Sequence, residues 1–280
     1  MAHRIALALA AGLALATAPA RAQILPSAGG DQPTEINADN AIEWHQDQHA
    51  YVARGNASAK RGESTVFADV LTAWYREVPG KGNEVFQMLA EGHVRIIGTS
   101  QQVFGDRAVY DMDRQIAVTT GRELRLVTPT DVVTARDALE YYEARDMAVA
   151  RGEAVAVRNA DRIRADVLIG LFHKGAAGAS ELERIDGSGN VVVTTPTDVA
   201  FGDKLVYSVT DNVAVLLGGV RITRGDNQMN GEAAEMNMTT KVNRVIAGRA
   251  GPAGDGRVKG LLVPAPRNPP APPAPAGVAP

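Results

Sequence analysis

The residues able to do chemistry are few and badly placed for it. Of five histidines, His45 and His49 stand four apart, a metal-ligand spacing when both lie on one face of a helix. Here they flank a turn between two strands. The run Asp186-Gly187-Ser188-Gly189-Asn190 has the composition of a phosphate loop. No helix follows to turn its N-terminus toward an anion, and a hairpin turn accounts for the same residues. Asp69, Asp106, Asp166 and Asp203 recur one per structural unit, at expected strand starts, which fits turns and solvated edges better than calcium or acid catalysis. No serine sits in a nucleophile-elbow context. The chain has no cysteine, which excludes thiol catalysis, disulfides and thiolate zinc sites. These residues imply no catalytic residue, no metal and no cofactor, and so a protein that is not an enzyme.

The elements that must carry a function are therefore structural. The chain has 280 residues, 45% of them hydrophobic and 5% aromatic, with 28 Gly and 15 Pro. That composition is globular and rich in turns. Residues 1–22 read as a secretory signal peptide: a weak basic start, an apolar stretch from Ile5 to about Ala18, and Ala20-Arg21-Ala22 as the cleavage site. Cleavage is expected before Gln23, placing the mature chain in an exported compartment. A flexible leader follows over 23–33. A Gly-rich linker is expected over 247–256, a terminal strand over 257–264 and a Pro/Ala-rich spacer over 265–280. The formal net charge is −3, a poor basis for nucleic-acid binding, which rests on neutralising phosphates.

Between those ends the chain repeats. A small residue followed by an acidic one recurs at Asp39, Asp69, Asp106, Asp166, Asp203 and Glu232, with Ala135-Arg136-Asp137 as a one-residue variant, and the acidic residues fall at intervals of 30, 37, 31, 29, 37 and 29. The interval pattern itself repeats. A shift of 97 aligns Val52-Ala53-Arg54-Gly55 with Val149-Ala150-Arg151-Gly152, and Phe104-Gly105-Asp106 with Phe201-Gly202-Asp203. Two tandem copies, 38–134 and 135–230, are expected within one continuous domain over 34–246.

Within each unit the period is two. Ala108, Tyr110 and Met112 share a face, as do Leu205, Tyr207 and Val209, with turn residues at Asp111–Gln115 and Thr210–Asn212. The fold class is all-β: elongated, stacked antiparallel sheets with an internal duplication of period about 97 and an apolar interior. Facing selects the residues expected to line that interior. In the first copy these are Ile36, Ile42, Trp44, Phe86, Met88, Val94, Ile96, Tyr110, Met112, Ile116 and Val118. In the second they are Leu139, Tyr141, Val191, Val193, Leu205, Tyr207, Val213 and Val215. Facing leaves two readings open, a dry packed core and a groove with room for a guest.

The units resemble a known family. Asp31-Gln32-Pro33-Thr34-Glu35-Ile36-Asn37-Ala38-Asp39 resembles the start of the LptA/OstA-like periplasmic lipopolysaccharide-transport proteins. Ala53-Arg54-Gly55-Asn56, Glu91-Gly92-His93-Val94, Arg151-Gly152-Glu153-Ala154 and Gly189-Asn190-Val191 resemble that family's Gly-Asn-Val step. His93, Glu153 and Ala154 stand where Asn or Val is usual. Arg257 to Pro264 resembles its terminal strand. The resemblance implies a β-taco or twisted β-jelly roll that holds lipopolysaccharide by its lipid A acyl chains. It also implies an LptC-like inner-membrane anchor and an LptD-like outer-membrane translocon of related fold as partners. Head-to-tail homo-oligomers would serve outer-membrane biogenesis. Two rivals stand beside it. One is an exported structural or adhesive β-solenoid with a dry core. The other is a carbohydrate-active β-helix, disfavoured by two Trp and no acidic cluster.

Overall fold

The computed structural model describes residues 34–80, 82–175, 180–248 and 256–263. The expected signal peptide, leader and Pro/Ala tail, and most of the Gly-rich linker, lie outside the described residues. Strand follows strand: β1 (Glu35–Asn37), β2 (Ala41–His45), β3 (Ala50–Arg61), β4 (Ser64–Val78), β5 (Gly82–Ile97), β6 (Gln102–Asp111), β7 (Ile116–Thr120), β8 (Arg125–Val127) and β9 (Asp131–Thr134). Then come β10 (Ala138–Tyr142), β11 (Met147–Arg158), β12 (Asp161–Lys174), β13 (Ser180–Thr194), β14 (Val199–Ser208), β15 (Val213–Arg224), β16 (Asn227–Asn237), β17 (Asn243–Ile246) and β18 (Lys259–Leu261). Two one-turn 3-10 helices, Gln46–Gln48 and Glu143–Arg145, are the helical elements among the described residues. The duplication is visible in the bounds. Ala41–His45, Gln46–Gln48 and Ala50–Arg61 return 97 residues on as Ala138–Tyr142, Glu143–Arg145 and Met147–Arg158.

Every pairing is antiparallel, each long strand with the next. Midway along, the register shifts, between Arg54 and Ala57, Glu91 and Val94, Arg151 and Ala154, Ser188 and Val191, and Leu217 and Val220. These bulges are the Gly-Asn steps. At Gly189 and Asn190 the backbone has φ of +75° and +48°, a left-handed pair that suits Gly and Asn. The Asn190 amide donates to Asp166 Oδ2 at 2.9 Å. The same carboxylate lies where a Cβ on Gly189 would stand. Asp69 faces His93 (2.9 Å) in the same way. So the recurrent aspartates sit opposite mid-strand bulges and not at strand starts. Likewise Asp186–Asn190 lies inside continuous β13, not in a hairpin turn. Both corrections have one cause: turns and bulges demand the same left-handed backbone, so composition alone does not separate them.

A bulge bends its strand. Bulges in register bend the whole sheet along one line and make two walls. Burial shows that the walls face each other. Leu205, Leu216, Ile222 and Met236 are 0–1% exposed, and a single sheet face cannot reach that without a second layer. Leu205, Leu216 and Met236 lie on one side of the bulges and Ile222 on the other, within one apolar cluster.

Candidate functional site

The interior is built of rows that run across the strands, because paired residues in a sheet share a face. In the first wall one row reads Ile42, Ala53, Leu71, Ala90, Ala108, Thr119, Leu139, Ala150, Leu168, Gly187, Leu205, Leu216 and Ala234. The next, nearer the mouth, reads Trp44, Tyr51, Ala73, Met88, Tyr110, Ala117, Tyr141, Ala148, Gly170, Ile185, Tyr207, Ala214 and Met236. The second wall answers with Ile36, Ala59, Val66, Ile96, Val103, Leu126, Val133, Ala156, Ile163, Val193, Ala200 and Ile222. In the first wall several large residues stand beside small ones, as Leu71 beside Ala53 and Ala90, and Leu168 beside Ala150 and Gly187, so their side chains fit beside one another.

Most residues selected by facing stand on these rows: Ile36, Ile42, Trp44, Met88, Ile96, Tyr110, Leu139, Tyr141, Val193, Leu205 and Tyr207. Val94 and Val191 lie beside the bulges, 2% and 1% exposed. Phe86 and Met112 lie at the mouth of the first wall, joined by a backbone bond from Met112 N to Phe86 O. Four assignments are corrected. Ile116 and Val118, with Val213 and Val215, point to the outer face. Their neighbours Ala117, Thr119, Ala214 and Leu216 take the interior. Alternation defines two faces but does not say which is inside. Crowding between the walls favours small residues there, while the outer β-branched residues are shielded by long charged neighbours. Trp44 and Ile42 face inward yet stay 55% and 56% exposed, because β2 has no strand on its far side among the described residues. Leu71, Leu168, Leu216, Val220, Ile222 and Met236 are interior residues that facing alone did not select; the shift of 97 and the register would have found Leu216 from Thr119.

The two halves of the interior differ. A small apolar cavity of about 40 Å³, open to solvent, lies in the first half, lined by Ala59, Val66, Leu71, Met88, Ala90, Ile96, Ala108, Tyr110, Met112 and Ala117, with Thr34 and Arg61 at its rim. In the second half the corresponding space is filled. Ala108 becomes Leu205 and Thr119 becomes Leu216 at the shift of 97, and both leucines are 0–1% exposed. The rim is also tied there. Arg224 grips Asp198 through two bonds of 2.6 and 2.8 Å. Its guanidinium holds the Asp198 carboxyl below the usual range, and the amide of Asn243 on the first wall also bonds this carboxylate. In the first half Gln101 and Val127 replace that pair. Gln101 is 7% exposed, and its Nε2 lacks a hydrogen-bond partner.

Tyrosines place polar tips along the mouth. Tyr110 Oη donates to Glu143 at 2.9 Å and Tyr207 Oη to Asn212 at 2.7 Å. Burial, then the nearby carboxylates of Asp146 and Glu143, push the Tyr141 phenol up to about 12. Burial likewise raises Tyr207. At the open end Trp44 stacks on Tyr51 at 5.9 Å and bonds Tyr75 Oη at 2.8 Å. The histidines join no such site. His45 and His49 sit either side of the first 3-10 turn, and His45 Nε2 lies 2.6 Å from Glu43. Among the described residues no three His, Asp or Glu side chains gather as metal ligands.

Residues 132–242 match the family model described as "LptA/(LptD N-terminal domain) LPS transport protein". Over that stretch the chain is similar to this LptA-like family. The matched stretch runs from β9 to the start of β17, less than half of the chain. Several of its elements have counterparts 97 residues earlier, Gln102–Asp111 for Val199–Ser208 among them, while β15 corresponds to the two shorter strands β7 and β8. Among solved structures, the chain is similar to LptH of Pseudomonas aeruginosa. That protein is described as the LptA-homologous periplasmic component of the conserved lipopolysaccharide transport device. Identity is 19% over 48% of this chain and 95% of that one, with a TM-score of 0.40. No curated protein matches the chain. The LptA-like family is one of transport proteins.

Proposed function

We propose that the LptA-like chain is a periplasmic bridge protein that carries lipopolysaccharide between the inner and outer membranes, with acyl chains inside the groove. The open apolar cavity of the first half carries this reading. Each methylene left in water costs about 0.8 kcal/mol, so a lipid with several acyl chains needs cover throughout an aqueous crossing. A trough of Met88, Ile96, Met112 and alanines offers that cover, and methionines adapt to changing guests. Trp44 stands at the open end and reports occupancy. With Trp74→Phe leaving one indole, added lipopolysaccharide should shift Trp44 emission to the blue and saturate. An emission unchanged across the titration contradicts the reading.

The ends support stacking. Ile42 and Trp44 at one end, and Val242, Ile246, Val258, Leu261 and Leu262 at the other, are 41–76% exposed. They account for most of the exposed large hydrophobics. They lie on or beside terminal strands that pair on one side only among the described residues. Such edges accept a strand from a further copy, or from an LptC-like anchor or LptD-like translocon of related fold. The chain has no native cysteine. Ile42→Cys with Val245→Cys, both on the inner row of the first wall, should therefore give an oxidant-dependent ladder of head-to-tail oligomers, while either single variant stops at dimers. A double variant that stays monomeric under oxidant contradicts end-to-end docking.

A further inference from the structure

The outer face of the second wall carries charge of nearly one sign. Its outward positions include Lys60 on β3, Arg95 on β5, Arg125 on β8, Arg162 and Arg164 on β12, Arg221 on β15 and Lys259 on β18. Glu35, on the terminal strand β1, is the acidic residue of this face. The register places them there: Phe67, Arg95, Phe104 and Arg125 are successive partners, as are Arg164, Val192, Phe201 and Arg221. This asymmetry stands out in a chain whose net charge is −3. On the first wall several arginines are paired. Arg54, Arg151, Arg184 and Arg107, all on the outer face of the first wall, lie against carboxylates. Arg95, Arg125, Arg162, Arg164 and Arg221 are exposed and take part in none of the ion pairs among the described residues.

Three of these arginines lie over aromatic rings. Arg95 lies 4.6 Å over the ring of Phe67, Arg125 4.3 Å over Phe104, and Arg221 4.3 Å over Phe201. A guanidinium stacked on a ring uses its face and leaves its N–H edges free for an oxyanion. The valines between them, Val132, Val155, Val157 and Val192, give an even apolar ground. Arg125 over Phe104 and Arg221 over Phe201 are one pair returned by the duplication. The others are not copies: at the shift of 97, Arg95 meets Val192, and Arg164 meets Phe67.

We propose that this face is a docking surface for an anionic lipid surface, engaged through headgroup phosphates. Shape and spacing favour that partner. The arginines extend from β5 to β15, about 38 Å at the ordinary strand separation, along the outer face of the wall. Their separations of two, three and three strands offer no fixed register to a folded acidic protein. A fluid layer of phosphates needs none, and arginine engages phosphate in pairs of parallel bonds. The aspartates at the bulges put opposite charge along the bend, so an anionic surface would orient the molecule second wall first. This docking does not depend on the groove being occupied.

The test is flotation of the full chain with phosphatidylcholine vesicles, with and without about one third phosphatidylglycerol. The N-terminal stretch, with Arg4 and Arg21, contributes alike to the parent and to every variant, so the comparison between variants isolates the face. The parent chain should prefer the anionic vesicles and lose that preference as added salt shortens the screening length. Arg162→Gln/Arg164→Gln/Arg221→Gln should lower the preference about a hundredfold, at about fivefold per cation. The control Arg54→Gln/Arg184→Gln, on the first wall, should keep it. Equal binding to both vesicle types overturns the proposal, as does equal loss in the control. Failure to bind anionic vesicles also overturns it, including when the same face captures an acidic protein.

Discussion

Gly152→Val should cost about 4 kcal/mol of stability and leave little folded protein at 37 °C. Gly152 is buried in the bulge of β11 with φ of +82°. A β-branched residue there meets left-handed strain of about 2 kcal/mol. Its Cβ would also fall on the carboxylate of Asp137, which Arg136 holds with bonds of 2.8 and 3.0 Å. Displacing that pair and overfilling the bend adds about 2 kcal/mol. Asn190→Gly, at an exposed bulge residue with φ of +48°, is the comparison. It loses one bond to Asp166 and keeps the backbone freedom, so its effect should stay within about 1 kcal/mol. Urea denaturation of both variants checks this. A Gly152→Val protein as stable as the parent contradicts the role given to the bulges.

Ala117→Phe and Ala214→Phe should have opposite effects although they occupy the same place in the two copies. Ala214 is fully buried where Leu205 and Leu216 fill the space between the walls. A ring there forces the walls apart, at about 3 kcal/mol, and should lower Tm by about 10 °C. Ala117 lines the cavity that opens to solvent, so a ring there can turn toward the mouth and need not force the walls apart. That variant should fold with nearly parental Tm. Its ring takes the place of about three methylenes of a bound acyl chain, about 2.4 kcal/mol, so lipopolysaccharide affinity should fall about fiftyfold. Thermal melting and binding, measured on both, check the contrast. Equal destabilisation of the two, or an Ala117→Phe protein with undiminished binding, contradicts the assignment of an open first half and a closed second.

That contrast also shows how far the sequence could be read. The strands, the duplication and the inward facing of Tyr110, Tyr207 and Leu205 follow from period two and the shift of 97. The bulges do not, because Gly189 and Asn190 would serve a hairpin turn equally well. Facing failed at Ile116, Val118, Val213 and Val215 because alternation is symmetric. Which face is inner depends on how closely the walls approach, a property of the folded sheet. The closing of the second half was written in two replacements, Ala108 to Leu205 and Thr119 to Leu216. Their meaning required knowing that both pairs belong to one interior row. The basic wall was hidden for the same reason. Arg95, Arg125, Arg164 and Arg221 are scattered along the chain and share a face only through the register.

The central claim is that the interior of the first half holds lipopolysaccharide. Site-specific photocrosslinking tests it most directly. A photoreactive residue at Tyr110, whose ring lines the cavity, is compared with one at Asp106, exposed at the bend, in cells making lipopolysaccharide. The account predicts a lipopolysaccharide adduct at position 110 and none at 106. A folded, exported protein with no adduct at 110, or with equal adducts at both, would contradict it and leave a dry structural solenoid as the better description.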